Sequence, residues 1–388
     1  MRNKIFLLLL IFLFNSCKND IKILNILTND ILLYEIVDNF NLNSHSVKVK
    51  IDYINELNIF DFVQKNSIKN YDIICGFYFL DTIIDNKNYS KIDIYLDNEN
   101  VFNYIKESYK NNKFYLTYSV DFPVIVARKD KINSKSNEIS IEEFIQYVRT
   151  NNVKKEKVYE SMLSFSPLLS NFPYTQYYFL FDIFSDKNSS NFYFDTQNLK
   201  NAFVFSTEFD NKYNYGKEFT DRYMEKYKNI DKNFFLKKGI IYFDFENFSE
   251  IFNIDKENFN IYLIKNLPYP SLSQKIITIR ENSFLKREAL EFIRYFIDKN
   301  NQERIMNASF NMNTDKKHIP IYKDLLKLNI TKNDIPIQYI DNFKSIKFYN
   351  SKIQYNFFQI LKNENQNHDF INMSEEKFIL YFFEKINK

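Results

Sequence analysis

The chain has 388 residues, of which 45% are hydrophobic and 26% are charged, and its net charge at pH 7 is +3. These proportions are typical of a folded globular protein and exclude an intrinsically disordered chain. Lysines alternate with acidic residues throughout and form no basic stripe, so nucleic-acid binding is not expected.

The scarcity of glycine and histidine restricts the chemistry further. Three glycines cannot form a glycine-rich phosphate loop, which excludes dinucleotide-binding and P-loop sites. The three histidines lie far apart and have no ligand-spaced partners, so we assign them surface or packing roles. No nucleophile or carboxylate pair is recognisable from spacing. The sequence therefore predicts no enzyme, no cofactor and no metal site.

The N-terminus has the pattern of an export signal. Arg2 and Lys4 precede ten apolar residues, which make about 15 Å of helix, half of the ~30 Å needed to span a bilayer. Cys17 follows Ser16 where a bacterial lipoprotein is cleaved and acylated, for example with palmitate. We therefore predict a signal peptide over residues 1–16 and a lipid anchor at Cys17 on a bacterial membrane, facing the periplasm or the outer surface. A plain secretory signal or an uncleaved anchor are the alternatives.

The first part of the mature chain alternates strands and helices. Strands are predicted over residues 21–27, 47–53 and 71–76, with helices between them over residues 32–40 and 56–65. This order predicts a parallel open sheet, whose ligands lie beyond the carboxyl ends of the strands. Thr28 and Asn29 follow the first strand and belong to that rim, and Asn29 or Asp30 is a candidate cap for the first helix.

A polar and aromatic elbow separates two apolar runs between residues 113 and 128. Tyr118, Ser119 and Asp121 precede Pro123, which cannot donate a ladder hydrogen bond and makes the preceding residue extended. One strand is therefore predicted to end near Phe122 and a second to begin there, in a new direction. An ordinary kinked edge strand gives the same pattern.

The second half of the chain is also predicted to contain both helices and strands. A capping box at Ser140 begins a helix to Arg149, and the aromatic-rich stretch that follows includes Tyr174. Further helical patterns cover residues 196–209, 217–228, 233–237 and 284–298, and a last one begins at Ser374; strands are predicted over residues 238–247, 260–264 and 275–280.

The ordered series of these segments resembles the extracellular solute-binding proteins of bacterial importers (family 1, sugar type). The chain keeps the Tyr118 and Asp121 positions of the family's first crossing between lobes, with Thr117 where the family has proline. The late helix with Lys286-Arg287-Glu288-Ala289, Phe292-Ile293, Phe296 and Gln302 is also similar. The resemblance covers roughly residues 21–330.

The resemblance implies an α/β, two-lobed, periplasmic-binding-protein-like (type II) fold with a cleft between the lobes. The first lobe is predicted to comprise residues 21–122 and 278–312, and the second residues 123–277 and 313–388, with a further crossing near residues 311–320. The implied ligand-binding residues are Thr28, Asn29, Tyr118, Ser119, Asp121, Tyr174, Phe245 and Asn247. Phe248 is an alternative to Phe245 as the stacking residue, and Phe243 and Phe245 alternatively belong to the core of a strand.

The implied function is capture of a small uncharged solute, with carbohydrate favoured, by a monomer that delivers it to an ABC import permease. Aromatic rings and Asn, Asp, Ser and Thr side chains suit a sugar, whereas the absence of tryptophan counts against one. Two alternatives remain: a peptide-binding importer component, and a surface lipoprotein that keeps the two-lobed fold as a protein-interaction module.

Overall fold

The structure, a computed structural model, describes residues 21–55, 59, 62–63, 70–78, 87–96, 99–132, 134, 136–169, 208–251, 257–265, 274–312, 317–330, 341 and 377. The strands are β1 (Lys22–Thr28), β2 (Val47–Tyr53), β3 (Ile73–Tyr78), β4 (Tyr89–Ser90), β5 (Leu116–Val120), β6 (Pro123–Arg128), β7 (Glu138–Ile139), β8 (Phe243–Asn247), β9 (Phe259–Ile264) and β10 (Gln274–Arg280). The helices are α1 (Leu33–Asn43), α2 (Asn103–Asn111), α3 (Ile141–Asn151), α4 (Lys217–Glu225), α5 (Lys286–Phe296), α6 (Lys299–Asn311) and α7 (Lys323–Ile330).

The first sheet has the strand order β2-β1-β3-β10-β4, and β5 pairs with β10. β1 is parallel to β2 and to β3, which confirms the predicted parallel arrangement of the first three strands. β10 comes from much later in the chain and is antiparallel to β3, β4 and β5. The first sheet is therefore completed only by a returning strand.

The second sheet has the strand order β7-β9-β6-β8. β6 lies in its centre, antiparallel to both β8 and β9. The predicted break at the elbow is confirmed, because β5 ends at Val120 in the first sheet and β6 begins at Pro123 in the second. An edge-strand kink would have left both segments in one sheet.

Amphipathic helices cover the first sheet. α1 buries Leu33, Ile36, Val37 and Phe40, and α5 buries Ala289, Phe292, Ile293 and Phe296, both at helical spacing. Phe40 and Phe292 meet edge to face, with ring centroids 5.3 Å apart. Burying each such side chain stabilises the fold by roughly 1.5–3 kcal/mol, which explains why these helices form.

The second sheet packs on an aromatic core. The ring of Phe144 from α3 lies 5.0 Å from Phe245 and 5.1 Å from Phe165. The predicted capping box begins α3: the Glu143 amide donates to Ser140 Oγ at 3.1 Å, and the Ser140 amide donates to Glu143 Oε2 at 2.6 Å. These two bonds satisfy amides at the helix start that have no partner within the helix.

Two local predictions differ from the structure, and others fall on residues that it does not describe. The helix predicted over residues 233–237 is a 3₁₀ turn, Lys232–Phe234, because the chain must reverse at Gly239 (φ +68°) before entering β8. Asp30 precedes α1 without being its N-cap, which is Leu32. The helix predicted over residues 56–65 lies largely outside the described residues, as do most of the one over residues 196–209 and nearly all of the tail beyond residue 330.

The chain returns to the first sheet before residue 278, since the whole of β10 belongs there. After α6, the Lys323 amide donates to the Asn100 carbonyl at 2.7 Å, and the Phe102 amide donates to the Ile321 carbonyl at 3.1 Å. The described part of this late segment therefore lies beside first-sheet elements, whereas residues 313–388 were predicted to join the second lobe.

Candidate functional site

The first crossing between the sheets is fixed by Asp121. Its Oδ1 accepts from the Ser249 amide at 2.9 Å, and its Oδ2 accepts from the Ser249 hydroxyl at 2.5 Å. Ser249 lies just beyond β8 in the second sheet. Beside this contact the rings of Phe122 and Phe248 stack with centroids 4.3 Å apart. Asp121 therefore binds the crossing to the second-sheet loop, and its carboxylate is already engaged.

Ser249 also contacts the late segment that follows α6. The Lys317 amide donates to the Ser249 carbonyl at 2.9 Å. The buried Lys317 ammonium donates to the carbonyls of Ser309 (2.9 Å) and Met312 (3.1 Å) at the end of α6. Ser249 thus contacts both the first crossing and the late segment, and brings the two close together.

The rim of the first sheet is formed by the loop between β1 and α1. Thr28 is fully buried, and its Oγ1 accepts from the Asp30 amide at 2.9 Å. Asn29 is partly exposed and packs against Gly76 (φ +150°). A Cβ on Gly76 would lie 1.9 Å from Asn29 Oδ1, so only glycine permits this approach. Asn29 is therefore held at the rim with part of its side chain accessible.

A buried ion pair lies directly behind this loop. Lys275 Nζ lies 3.0 Å from Asp30 Oδ2, and the Tyr118 hydroxyl donates to the same oxygen at 2.9 Å. Burial by itself raises the pKa of Asp30, but the Lys275 charge and the two hydrogen bonds outweigh it, so this pKa lies below its usual value. Removing one partner of such a pair costs about 3–5 kcal/mol, because the other charge stays buried.

His318 completes this group, which we call the buried cluster: Asp30, Tyr118, Lys275 and His318. The imidazole stacks on the Tyr118 ring with centroids 6.1 Å apart, and its Nε2 lies 3.1 Å from Gln302 Oε1. Since that oxygen only accepts, Nε2 carries the proton. Among the described residues Nδ1 has no hydrogen-bond partner. Burial and the Lys275 charge lower the His318 pKa to about 3, so the ring is neutral at pH 7 and Lys275 supplies the positive charge beside Asp30.

Three of the predicted ligand-binding rings that the structure describes are buried. Tyr118 is fully buried in the cluster, which corrects its predicted role as a ring lining the cleft. The Phe245 ring is 2% exposed and packs against Phe144 and Phe165, so the alternative of a core strand residue describes it. Phe248 is also fully buried, against Phe122. These rings are not available to stack on a solute in this conformation.

Two further predicted residues lie near the first crossing, and two others are not described by the structure. Asn247 is buried at the end of β8, and its side-chain Nδ2 donates to Glu250 Oε1 at 2.8 Å. Ser119 is buried and lies opposite Lys275 in the β5–β10 ladder. Tyr174 and Cys17 lie outside the described residues. Of the predicted set that the structure describes, Asn29 is the most accessible member.

A carboxyl group next to the crossing was missed by the sequence reasoning. Glu246 lies opposite Val124 in the β6–β8 ladder, close to Asp244 and Glu250. Burial, followed by repulsion from these two carboxylates, raises the pKa of Glu246 well above its usual range. Two acidic residues within an aromatic strand were the available signal. Likewise Lys275, a cation next to the apolar run of β10, indicated a buried partner.

Two cavities of the described structure lie away from these groups. One of about 470 Å³ lies between α1 and α6 and is lined by Glu35, Glu303, Arg304 and several asparagines. The described residues contain no cluster of His, Cys, Asp or Glu side chains suited to a metal ion. Nor do they include a helix long and apolar enough to cross a membrane.

No protein-family model and no curated protein matches the chain. The comparison therefore rests on solved structures. A sugar transporter from Rhizobium etli, in an open conformation, aligns over 94% of this chain and 99% of its own, with 12% identity and a TM-score of 0.64. The maltose-binding periplasmic protein MalE from Listeria monocytogenes, in complex with maltose, aligns over 95% and 97%, with 12% identity and a TM-score of 0.61. A protein with mannobiose bound aligns over 94% and 99%, with 16% identity and a TM-score of 0.62.

These alignments confirm the predicted fold. The chain has the two-lobed α/β architecture of type II periplasmic binding proteins over nearly its whole length. Its structural neighbours are extracellular sugar- and maltodextrin-binding proteins. Identities of 11–16% relate the folds and leave the ligand of this chain to be argued from its own residues.

Proposed function

We propose that this protein is a solute-binding component of an ABC importer, which captures a small uncharged solute between its lobes without transforming it. The observation that carries the proposal is that the chain passes between two separate sheets twice, at residues 121–122 and again between β9 and β10, and that the first passage is held to the second sheet by the contact of Asp121 with Ser249. Lobes joined in this way can rotate about the crossings and close on a ligand.

Carbohydrate is the favoured solute. Several proteins with the same fold were solved with mannobiose, maltose or maltotetraose bound. The rim of the first lobe presents Asn29, whose amide both donates to and accepts from hydroxyl groups. We propose Asn29 as a direct contact to the solute, with Thr28 and Ser119 supporting the rim and Asn247 on the facing lobe.

The division into lobes follows sheet membership. We assign residues 21–122 and the stretch from Gln274 through α6 to the first lobe, with the second lobe beginning at Pro123. The contacts of residues 321–323 with residues 100–102 favour placing that late segment with the first lobe too.

We further propose export after removal of residues 1–16 and a lipid anchor at Cys17, so that the monomer stays at the membrane beside its permease. Two chains such as a diacylglycerol and an amide-linked acyl chain give stable membrane attachment, which one chain does not. Labelling of cells with a radioactive fatty acid should mark the full-length protein and should not mark Cys17→Ala. Equal labelling of both would contradict acylation at this residue.

The test of solute binding is a thermal-shift screen followed by calorimetry, using maltose, mannobiose, maltotetraose and a set of short peptides. A ligand at 100 times its dissociation constant stabilises the folded chain by about 2.7 kcal/mol. A sugar should raise the melting temperature, and peptides should not. Stabilisation by peptides alone would favour the peptide importer, and no stabilisation by any compound would remove the support for import.

Asn29→Ala is the matched site variant, and Asn43→Ala on the exposed end of α1 is its control. Loss of one hydrogen bond worth about 1 kcal/mol should weaken binding roughly fivefold in the first variant only. Equal affinities in both variants would place the solute elsewhere.

A further inference from the structure

We infer that Asp30 and Lys275 are positioning residues, whose buried contact couples the solute-contacting loop at Asn29 to the crossings and so sets the balance between open and closed lobes. The inference rests on the proposed function, because it assigns a role to the surroundings of the same site.

The buried cluster collects residues that lie far apart in the chain, two of them beside the passages between the sheets. Tyr118 lies in β5, three residues before Asp121. Lys275 is the second residue of β10, where the chain has just returned to the first sheet. His318 follows Lys317, whose amide donates to Ser249 beside the second sheet, and its ring stacks on Tyr118. These three side chains surround Asp30, the residue next to Asn29. A rotation of the lobes that shifts any crossing must therefore act on the loop that carries Asn29.

The ladder between β5 and β10 is irregular at this position. Lys275 lies opposite Ser119, but Ile276 lies opposite Thr117, so Tyr118 is an extra residue in β5. Such a bulge turns a side chain away from the regular alternation of a strand. Here Tyr118 and Lys275 contact the same oxygen of Asp30, at 2.9 and 3.0 Å. The bulge in β5 therefore lies at the residue that contacts Asp30.

The chemistry of the contact favours a positional role. An apolar group of similar size would stabilise a core as well as a buried ion pair does. The ion pair and the Tyr118 hydroxyl instead fix the orientation of the Asp30 carboxylate. Its Oδ2 receives both of these donors, and its Oδ1 accepts from the Leu32 amide at 3.3 Å, at the start of α1. The loop is thereby held from both sides, by α1 and by the crossings.

The test measures the lobes directly in full-length protein without any solute. Spin labels are attached at Tyr95→Cys and Tyr159→Cys, exposed positions (83% and 53%) in the first and second lobes, in a Cys17→Ala background; Cys75 is buried and does not react. Pulsed electron resonance then gives the distribution of distances between the labels, and hence the ratio of open to closed molecules.

Two changes interrupt the contact. Tyr118→Phe removes one hydroxyl and keeps the ring against Phe296; the double variant Asp30→Asn with Lys275→Met removes both charges and leaves neither unpaired. Each should change the open-to-closed ratio about fivefold or more, a typical size for coupling between sites. The single variant Asp30→Asn should melt at a lower temperature than the double variant, because it leaves Lys275 buried and uncompensated.

The matched controls are Tyr109→Phe and Asp210→Asn. Tyr109 is a buried tyrosine that donates to the Ile92 carbonyl at 2.7 Å, and Asp210 is a buried aspartate that accepts from Ser166 at 2.8 Å within the second lobe. Both should lower the melting temperature and leave the distance distribution unchanged. A distribution unaltered in Tyr118→Phe or in the double variant would overturn the inference, as would equal changes in the controls. Because this experiment uses no solute, its result does not depend on the outcome of the binding screen.

Discussion

Acid should destabilise this protein through the buried imidazole of His318. Its pKa is lowered to about 3 by burial and by the Lys275 charge, whereas an unfolded chain has the ordinary value of 6.5. As the pH falls below 6.5, the unfolded chain takes up a proton that the folded chain does not bind. The free energy of unfolding therefore decreases between pH 6.5 and pH 3.

The size of the effect follows from these two values. Between pH 7 and pH 5 the unfolded imidazole becomes almost fully protonated, while the folded one stays neutral. Each pH unit over which the two states differ by one bound proton changes the free energy of unfolding by ~1.4 kcal/mol. The free energy of unfolding is therefore about 2 kcal/mol lower at pH 5 than at pH 7. Asp30 adds nothing in this window, because its pKa lies below 3.8 and its contribution is lost only at lower pH.

The assay compares the wild-type chain with His318→Gln by urea unfolding at pH 7 and pH 5. Glutamine keeps an N–H donor for Gln302 and does not titrate, so the pH-dependent loss should be smaller in the variant by about 2 kcal/mol. His45→Gln is the control, since His45 is exposed and its replacement should leave the loss unchanged. Identical pH dependence in wild type and His318→Gln would refute the argument.

Two further predictions concern β8. Phe245→Ala should lower the free energy of unfolding by about 3–5 kcal/mol, as measured by urea unfolding, because it leaves a cavity in the aromatic core. If a solute stacked on this ring, the variant would instead lose affinity for the solute out of proportion to its loss of stability. Glu246→Gln should raise the melting temperature more at pH 8 than at pH 5. Because the pKa of Glu246 is raised in the folded chain, the wild type loses stability as the pH rises and this carboxyl ionises, whereas glutamine stays neutral. An equal increase in melting temperature at both pH values would contradict this.

The sequence alone predicted most of the secondary structure and the break between the lobes. Helical spacing gave α1 and α5, the Ser140 and Glu143 pair gave the start of α3, and Pro123 marked the entry into the second sheet. These features are local: each depends on residues within one or two turns, or on a backbone restriction that proline imposes wherever it stands.

Side-chain direction and pairing across long separations were decided by the tertiary structure. Tyr118 and Asp121 were correctly read as part of the crossing, but they contact Asp30 and Ser249, which are 88 and 128 positions away. Whether a polar group at a crossing faces a cleft or a buried partner depends on which distant strand returns beside it. Here β10 brought Lys275 to Asp30, and the charge pair, rather than an exposed site, is what these residues form.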